Sequence, residues 1–168
     1  YTSLSHNPDG HPAISYYDSS NRDLKFASFD GLEWRIQTVD SGGNVGIYTS
    51  LNHGPDGNPA ISYGGSDLKL KLAQYNGESW QTQVIGSDES GGRNTALSFG
   101  PEGNPSVSYY DSANFDLGFV SYQLAELPRH VNINQPFIVL GSDRDGDGIS
   151  DRVEINTGSD PENPDTDG

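Results

Sequence analysis

The stretch SDRDGDGISDRVE, residues 142–154, spaces its carboxylates as a hard divalent cation requires. Counted from the first aspartate as position 1, acidic side chains occupy positions 1, 3, 5, 9 and 12, and a glycine occupies position 6. This is the ligand order of a calcium loop, in which position 7 adds a backbone carbonyl and the terminal Glu binds with both oxygens. The residues predicted to hold the ion are Asp143, Asp145, Asp147, Ile149, Asp151 and Glu154.

The surroundings of this EF-hand-like loop set it apart from a helix-loop-helix site. The residues before it contain Pro136 and a β-branched run that ends at Gly141, which predicts a strand and a turn in place of an entering helix. No Cys or His lies nearby, which argues against zinc or copper. An acidic solvated linker is the alternative, but it would scatter its charges without fixed spacing.

The segment after the loop begins a second acidic pattern, INTGSDPENPDTDG. Together with the loop it resembles the thrombospondin type 3 repeats of bacterial surface proteins, and the resemblance covers residues 142–168. In that family successive acidic loops wrap a string of calcium ions with little conventional core. The resemblance implies a second, unfinished calcium site that contains Asp160, Asp165 and Asp167.

Composition excludes several classes of partner. The 168 residues carry a formal net charge of -15, so the surface repels nucleic acid and anionic membranes and attracts cations. No run of about 20 apolar residues is present, so no membrane insertion is expected. Calcium loops stay filled where calcium is millimolar, which favours an extracellular or cell-surface location. We interpret the chain as a processed or truncated piece of a secreted polypeptide.

Residues 1–122 contain one unit nearly three times: YTSLSHNPDGHPAISYYDS, YTSLNHGPDGNPAISYGGS and NTALSFGPEGNPSVSYYDS. Leu4, Leu51 and Leu97 occupy the same position in the unit, so the period is 47 and then 46 residues. We expect these leucines to be buried at equivalent places. Periods of this size are typical of solenoids and propeller blades.

Each unit holds four short runs in which apolar and polar residues alternate, separated by Gly, Pro, Asn or Asp. This pattern predicts four antiparallel strands, the content of a propeller blade. The second blade is expected from about Ile47 to Ser87. The pieces DG-x-P-x-x-SY, DLKFA and DG-x-x-W resemble secreted β-propeller-like repeats of bacteria and archaea.

The predicted fold is therefore an all-β, propeller-like array of four-stranded antiparallel blades, with two full units and a partial third. Three segments are expected: repeats at 1–122, a connecting strand or linker at 123–141 and the calcium-binding segment at 142–168.

Several side chains in the repeats could bind a ligand. His6 and His53 share a position that Phe99 fills in the third unit, which favours a spacer over a metal or catalytic role. Trp34 and Trp80 follow DG-x-x and NG-x-x one period apart; packing between blades is the main interpretation and a sugar-stacking platform the alternative. His11 is explained by its turn.

Paired tyrosines in the first and third units give further ligand-contact candidates. One ring of each pair is expected to face inward and the other outward, which leaves Tyr17 and Tyr110 as the outward pair.

Three classes of function remain. We expect a non-enzymatic, calcium-stabilised extracellular structural or adhesion protein, such as a subunit of a surface fibre or layer. A lectin-like carbohydrate-binding module, with a glycan as its ligand, is the alternative. A glycan-active hydrolase is disfavoured because the carboxylates sit in turns or in the calcium loop, and no nucleophile motif such as G-x-S-x-G is present.

The third unit lacks a DG-x-x-W strand, so an unpaired sheet edge is expected there. The β-prone segment HVNINQPFIVL, residues 130–140, can fill that edge in its own chain or cross to a neighbour. Crossing would produce a homo-oligomer or a filament.

Overall fold

The computed structural model describes residues 1–67, 69–86, 92–112 and 114–121, together with the backbone of β12, residues 129–132. The described residues form β-strands and turns and contain no helix. No helix there is long and apolar enough to cross a membrane.

Twelve strands in these residues form three four-stranded antiparallel sheets, each built from strands consecutive in sequence. Sheet 1 contains β1 (Thr2–His6), β2 (Pro12–Asp18), β3 (Asp23–Phe29) and β4 (Trp34–Asp40). Sheet 2 contains β5 (Val45–His53), β6 (Pro59–Gly65), β7 (Leu70–Tyr75) and β8 (Trp80–Val84). Sheet 3 contains β9 (Arg93–Phe99), β10 (Pro105–Asp111), β11 (Asp116–Ser121) and β12 (Arg129–Asn132).

The turns explain why the strands end where they do. In the first turn the amide of Gly10 donates to the carbonyl of Asn7 at 2.9 Å, and Gly10 has a φ of 82° that favours glycine. Gly57 and Gly103 repeat this turn, both with a φ of 79°. In the turn between β3 and β4, Asp30 Oδ1 accepts from two backbone amides, which fixes the hairpin.

The sequence repeat is also a structural repeat in register. Leu4 lies opposite Ile14, Leu51 opposite Ile61 and Leu97 opposite Val107, so the same pair of positions meets in each sheet. Because side chains alternate across a strand, equivalent residues face the same side of each sheet. The predicted four-strand unit is confirmed as three small antiparallel sheets.

Neighbouring sheets pack face to face through two apolar cores. The core between sheets 1 and 2 consists of Ala13, Leu24, Phe26, Val39, Val45, Leu51, Ile61, Tyr63 and Ala73. The core between sheets 2 and 3 consists of Ala60, Leu70, Leu72, Ile85, Leu97, Val107, Tyr109 and Val120. The two sets occupy largely the same positions of the repeat, so the second interface repeats the first.

One predicted core position differs from expectation. Leu51 and Leu97 are 5% and 7% exposed, as predicted, but the prediction that Leu4 is buried is wrong, because Leu4 is 61% exposed. Leu51 packs against sheet 1 and Leu97 against sheet 2, whereas no described residue covers the corresponding face of sheet 1. Burial at this position therefore depends on a preceding sheet.

The third sheet also corrects the sequence interpretation. We predicted a partial third unit, but β12 pairs with β11 and gives sheet 3 four strands, with Val131 opposite Phe119. The first part of the segment 130–140 thus pairs within its own chain. Residues 133–140 lie outside the described residues.

All three sheets belong to one compact unit, Tyr1–Asn134, and residues Gln135–Gly168 are assigned to a second. The second unit, with the predicted calcium loop at 142–154, lies outside the described residues.

Candidate functional site

A cavity of about 230 Å³ opens between sheets 1 and 2, on the side where the first turn of each repeat lies. Sheet 1 contributes Phe29 and Gln37, and sheet 2 contributes His53, Tyr75 and Trp80. Turn residues, among them Asn7, His11 and Asn58, close the rim. The cavity therefore combines aromatic walls with neutral polar side chains.

Trp80 forms the bridge between the two sheets. Its indole lies on sheet 2 but contacts Phe26 of sheet 1, with ring centroids 5.2 Å apart, and Tyr75 of its own sheet at 5.5 Å. The indole Nε1 donates to Gln37 Oε1 at 2.9 Å. These contacts fix the ring plane, so an aromatic face is presented in a defined orientation.

The polar groups of the rim are held by their own turns. Asn7 Oδ1 accepts from the amide of His11 at 2.8 Å, and Asn58 Nδ2 donates to Asp56 Oδ2 at 2.9 Å. His53 Nδ1 lies 3.1 Å from Ser5 Oγ. Burial lowers the pKa of His53 below its usual value of 6.5, with a smaller effect from the nearby His6, so the neutral ring is favoured there.

The repeat builds the same cavity a second time. Between sheets 2 and 3 a cavity of about 200 Å³ is lined by residues that include Asn58, Tyr75 and Phe99. These occupy the repeat positions of His11, Phe29 and His53 in the first cavity. The chain has only two tryptophans, Trp34 and Trp80, so sheet 3 cannot supply an indole to the second cavity.

The tryptophans and tyrosines singled out from the sequence fall at different places. Trp80 packs between sheets, as its main interpretation predicted, and also lines the cavity, whereas Trp34 is exposed on sheet 1. Tyr17 and Tyr110 are outside both cavities: the hydroxyl of Tyr17 donates to Asn44 Oδ1 at 2.8 Å, and Tyr110 lies on sheet 3. The structure thus does not gather the tyrosine candidates at the site.

His11 and His53, explained from the sequence as a turn residue and a spacer, both line the first cavity. Sequence reasoning missed Gln37 and Tyr75 altogether. The sequence signal that could have led to these residues is the position of Trp80. A large ring at the start of an outer strand needs a partner on a neighbouring sheet.

The predicted metal ligands stand apart from these cavities. Asp143, Asp145, Asp147, Ile149, Asp151, Glu154, Asp160, Asp165 and Asp167 all lie outside the described residues. Among the residues that the structure does describe, no group of three His, Asp or Glu side chains is placed to hold a metal ion.

Comparison with known proteins gives one match for the acidic segment and a fold likeness for the sheets. Residues 143–164 match a family model described as the bacterial TSP3 repeat. No curated protein matches the sequence.

Several solved structures share the fold of the sheet region, among them the following two. A fucose lectin from Kordia zhangzhouensis, in complex with methyl-fucoside, has a TM-score of 0.54 and 13% identity; the likeness covers 78% of this chain and 97% of the lectin chain. A mutant of AofleA from Arthrobotrys oligospora, with three arginines replaced by alanine, has a TM-score of 0.56 and 20% identity, over 83% of this chain and 42% of that chain. The present chain thus spans less than half of AofleA.

Proposed function

We propose that residues 1–134 form a lectin-like, non-enzymatic module that binds carbohydrate in the cavities between its sheets. The observation that carries the proposal is the first cavity, where Trp80 and Tyr75 face neutral polar groups such as Gln37 and Asn58. Concave sites with aromatic walls and a few oriented polar groups are typical of small-ligand binding. The fold likeness to a fucose lectin supports this function over a purely structural one.

The cavity favours an uncharged sugar. Apart from two histidines, His11 and His53, none of its lining residues is ionisable at neutral pH, so no fixed charge is available to pair with an acidic sugar. A pyranose presents an apolar face of C–H groups that suits the ring of Trp80, while its hydroxyls suit amide side chains. The lining also lacks the carboxylate pair that glycoside hydrolysis ordinarily uses, which supports binding without catalysis.

Sugar binding is tested by titrating the protein with methyl-fucoside and a panel of neutral monosaccharides, followed by NMR or calorimetry. Trp80→Ala is expected to weaken binding at least about tenfold, a loss of about 1.4 kcal/mol, because it removes the stacking wall. Trp34→Ala is the matched control, since Trp34 has the same repeat position but lies outside the cavity. Equal affinities for the wild type and Trp80→Ala, or no binding to any glycan, would contradict the proposal.

The arrangement of the sheets supports a propeller-like array. The first strands β1, β5 and β9 contact one another in order, and each sheet packs on the next through equivalent positions. We propose that each sheet is a blade whose first strand lies nearest the axis.

A calcium-binding role for the C-terminal segment is the second candidate function, and the TSP3 match at 143–164 favours it. The proposed first site uses Asp143, Asp145, Asp147, Ile149, Asp151 and Glu154, and a second contains Asp160, Asp165 and Asp167. An extracellular or cell-surface location accords with such sites. The segment would stiffen a connector, as in the surface fibre, layer or adhesion role predicted from the sequence.

Calcium titration of the full chain tests the first site. Glu154→Gln should weaken calcium binding at least about tenfold because it removes the bidentate carboxylate. Asp30→Asn is the control, because it removes a carboxylate from a turn of sheet 1. A chain that binds no calcium at millimolar concentration would exclude the site.

Self-association was predicted through an exchanged strand at residues 130–140. β12 pairs with β11 of its own chain, so residues 129–132 do not cross to a neighbour in this structure. A homo-oligomer or filament formed by exchange of residues 129–132 is therefore not expected.

A further inference from the structure

The interface between sheets is directional. We call the side of a sheet that packs on the following sheet its rear face, and the opposite side its front face. In the first interface the rear face of sheet 1 supplies Leu24 and Phe26, and the front face of sheet 2 supplies Leu51 and Tyr63. The second interface uses the equivalent residues of sheets 2 and 3, including Leu70 and Leu97.

Hydrogen bonds between the sheets repeat as well. Ser15 Oγ on the rear face of sheet 1 lies 2.7 Å from Thr49 Oγ1 of the next repeat. Ser62 Oγ lies 2.8 Å from Thr95 Oγ1 in the same way. Each rear face therefore offers a serine that a threonine of the following repeat approaches.

The front face of sheet 1 and the rear face of sheet 3 each carry one side of this interface, and no described sheet packs on either. On the front face of sheet 1, Leu4 is exposed and Tyr16 only half-buried, although their equivalents in sheets 2 and 3 are buried. On the rear face of sheet 3, Leu117 is 47% exposed, whereas its equivalents Leu24 and Leu70 are completely buried.

A shallow depression on the rear face of sheet 3 is lined by Ser108, Phe115 and Leu117, among others. Phe115 is highly exposed and lies two residues before Leu117, so the uncovered apolar surface is continuous there. At the equivalent place on sheet 1, Ser15 and Leu24 are fully buried under repeat 2.

We propose that a second copy of this chain docks its front face of sheet 1 on the rear face of sheet 3, and receives the same contact in return. Leu4 and Tyr16 of one copy then take the places that Leu51 and Tyr63 hold in the first interface. Thr2 of that copy approaches Ser108, as Thr49 approaches Ser15. A second copy is the occupant because both halves of the interface are present on every chain.

The number of copies in the assembly follows from the number of blades in a closed propeller. That number rests on the blade arrangement proposed above for the sheets. Closed propellers typically contain about four to eight blades of four strands. The described residues of each chain form three sheets, so two copies give six such sheets and lie within that range, while one or three copies lie outside it. A head-to-tail contact made twice around a ring leaves no free face, so association stops at the dimer.

The proposed contact is weaker than the internal interfaces in one respect. Ser3 Oγ accepts from the amide of Leu51 and Ser50 Oγ from the amide of Leu97, each at 3.0 Å. The third repeat has Ala96 at this position, so the amide of Leu4 has no such acceptor across the contact. We therefore expect a dimer that dissociates on dilution.

Sedimentation equilibrium of the 168-residue chain over a wide range of protein concentration tests the proposal. The expected species at high concentration has twice the mass of one chain. Leu4→Lys and Leu117→Asp should each raise the dimer dissociation constant about 30-fold or more, because each places an unpaired charge in an apolar contact. Leu32→Lys is the control, because Leu32 is 92% exposed in a turn away from both faces.

The decisive experiment mixes the Leu4→Lys and Leu117→Asp variants. A heterodimer of Leu4→Lys with Leu117→Asp has one contact with opposite charges and one wild-type contact, so the mixture should recover dimers that neither variant forms alone. A monomer at high concentration, an open-ended polymer, or association insensitive to both substitutions would overturn the proposal. Sugar affinity of the Leu4→Lys monomer, measured at the first cavity, separates failure of the dimer from failure of the lectin function.

Discussion

The interface between sheets 1 and 2 and the front face of sheet 1 use the same positions of the repeat, yet one is buried and the other exposed. Leu51 is enclosed by side chains of sheet 1, while Leu4 lies at the same place in its own unit without a covering sheet. The two leucines follow the same local sequence and pair with isoleucines in the same register. The comparison shows that the repeat determines which side chains share a face, and a neighbouring sheet determines whether that face is a core.

The largest expected difference between these two surfaces is in stability. Leu51→Ala should lower the free energy of unfolding by about 2–5 kcal/mol, since it leaves a cavity in a packed core. Leu4→Ala should change it by about 0.5 kcal/mol or less at concentrations low enough to keep the chain monomeric. Chemical denaturation of both variants measures the difference. Similar losses for the two would show that Leu4 is covered in the monomer.

Two glycines, one just before β5 and one near its start, sharpen the comparison at the edge of the same interface. Gly46 and Gly43 have φ values of 97° and 105°, but a Cβ on Gly46 would lie 2.8 Å from the Cα of Leu24, while a Cβ on Gly43 would meet nothing within 4 Å. Gly43→Ala should cost about 1 kcal/mol from backbone strain alone.

Gly46→Ala should cost about 2–3 kcal/mol, because backbone shifts must be added to that strain. Thermal unfolding of the two variants gives the comparison. Equal costs would mean that the start of β5 can move away from sheet 1 without loss of stability.

The smallest effect is expected from His53, on the side of sheet 2 that faces sheet 1. Its folded-state pKa is lowered by burial, so the unfolded chain takes up the proton first as the pH falls below about 6.5. Stability should therefore decrease as the pH falls from 6.5 towards the lowered pKa. His53→Phe, which copies Phe99 of the third unit, should remove this slope.

Denaturation at pH 7.5 and pH 5 compares His53→Phe with the wild type. His11→Asn is the control, because it copies Asn58 of the second unit in a turn. The idea fails if His53→Phe retains the full loss of stability at acidic pH.

Much of the fold was predictable because its signals are local. The alternation of apolar and polar residues and the turns around Gly10 and Asp30 define strands within a few residues. The second unit, expected from about Ile47 to Ser87, has its strands from Val45 to Val84. The exposure of Leu4 was not predictable from that pattern, because alternation says nothing about what covers a face.

The fourth strand of sheet 3 was missed for a different reason. β12 has the sequence RHVN and none of the DG-x-x-W signature of the first unit. Its pairing with β11 depends on backbone hydrogen bonds, which many sequences can make. A motif-based count therefore ended the unit one strand early.

The candidate site was the least predictable part, because it joins residues from different repeats. Gln37 and Trp80 are 43 positions apart and meet only when sheet 2 packs on sheet 1. The sequence indicated Trp80 as an inter-blade residue, but it gave no means to find the amide that holds its indole.

The two cavities between the sheets are copies of one position, one repeat apart on a scaffold whose sheets are packed against each other. If both cavities bind sugar, as proposed above, two sites fixed in this way would not bind a branched or surface-bound glycan independently. Once the first sugar was bound, the second site would meet its sugar at an effective concentration set by the spacing of the sheets, and avidity could exceed the affinity of either site by about 10²–10⁴-fold. Because the first cavity has Trp80 and the second does not, the two would contribute unequally, with one site anchoring the glycan and the other prolonging its residence.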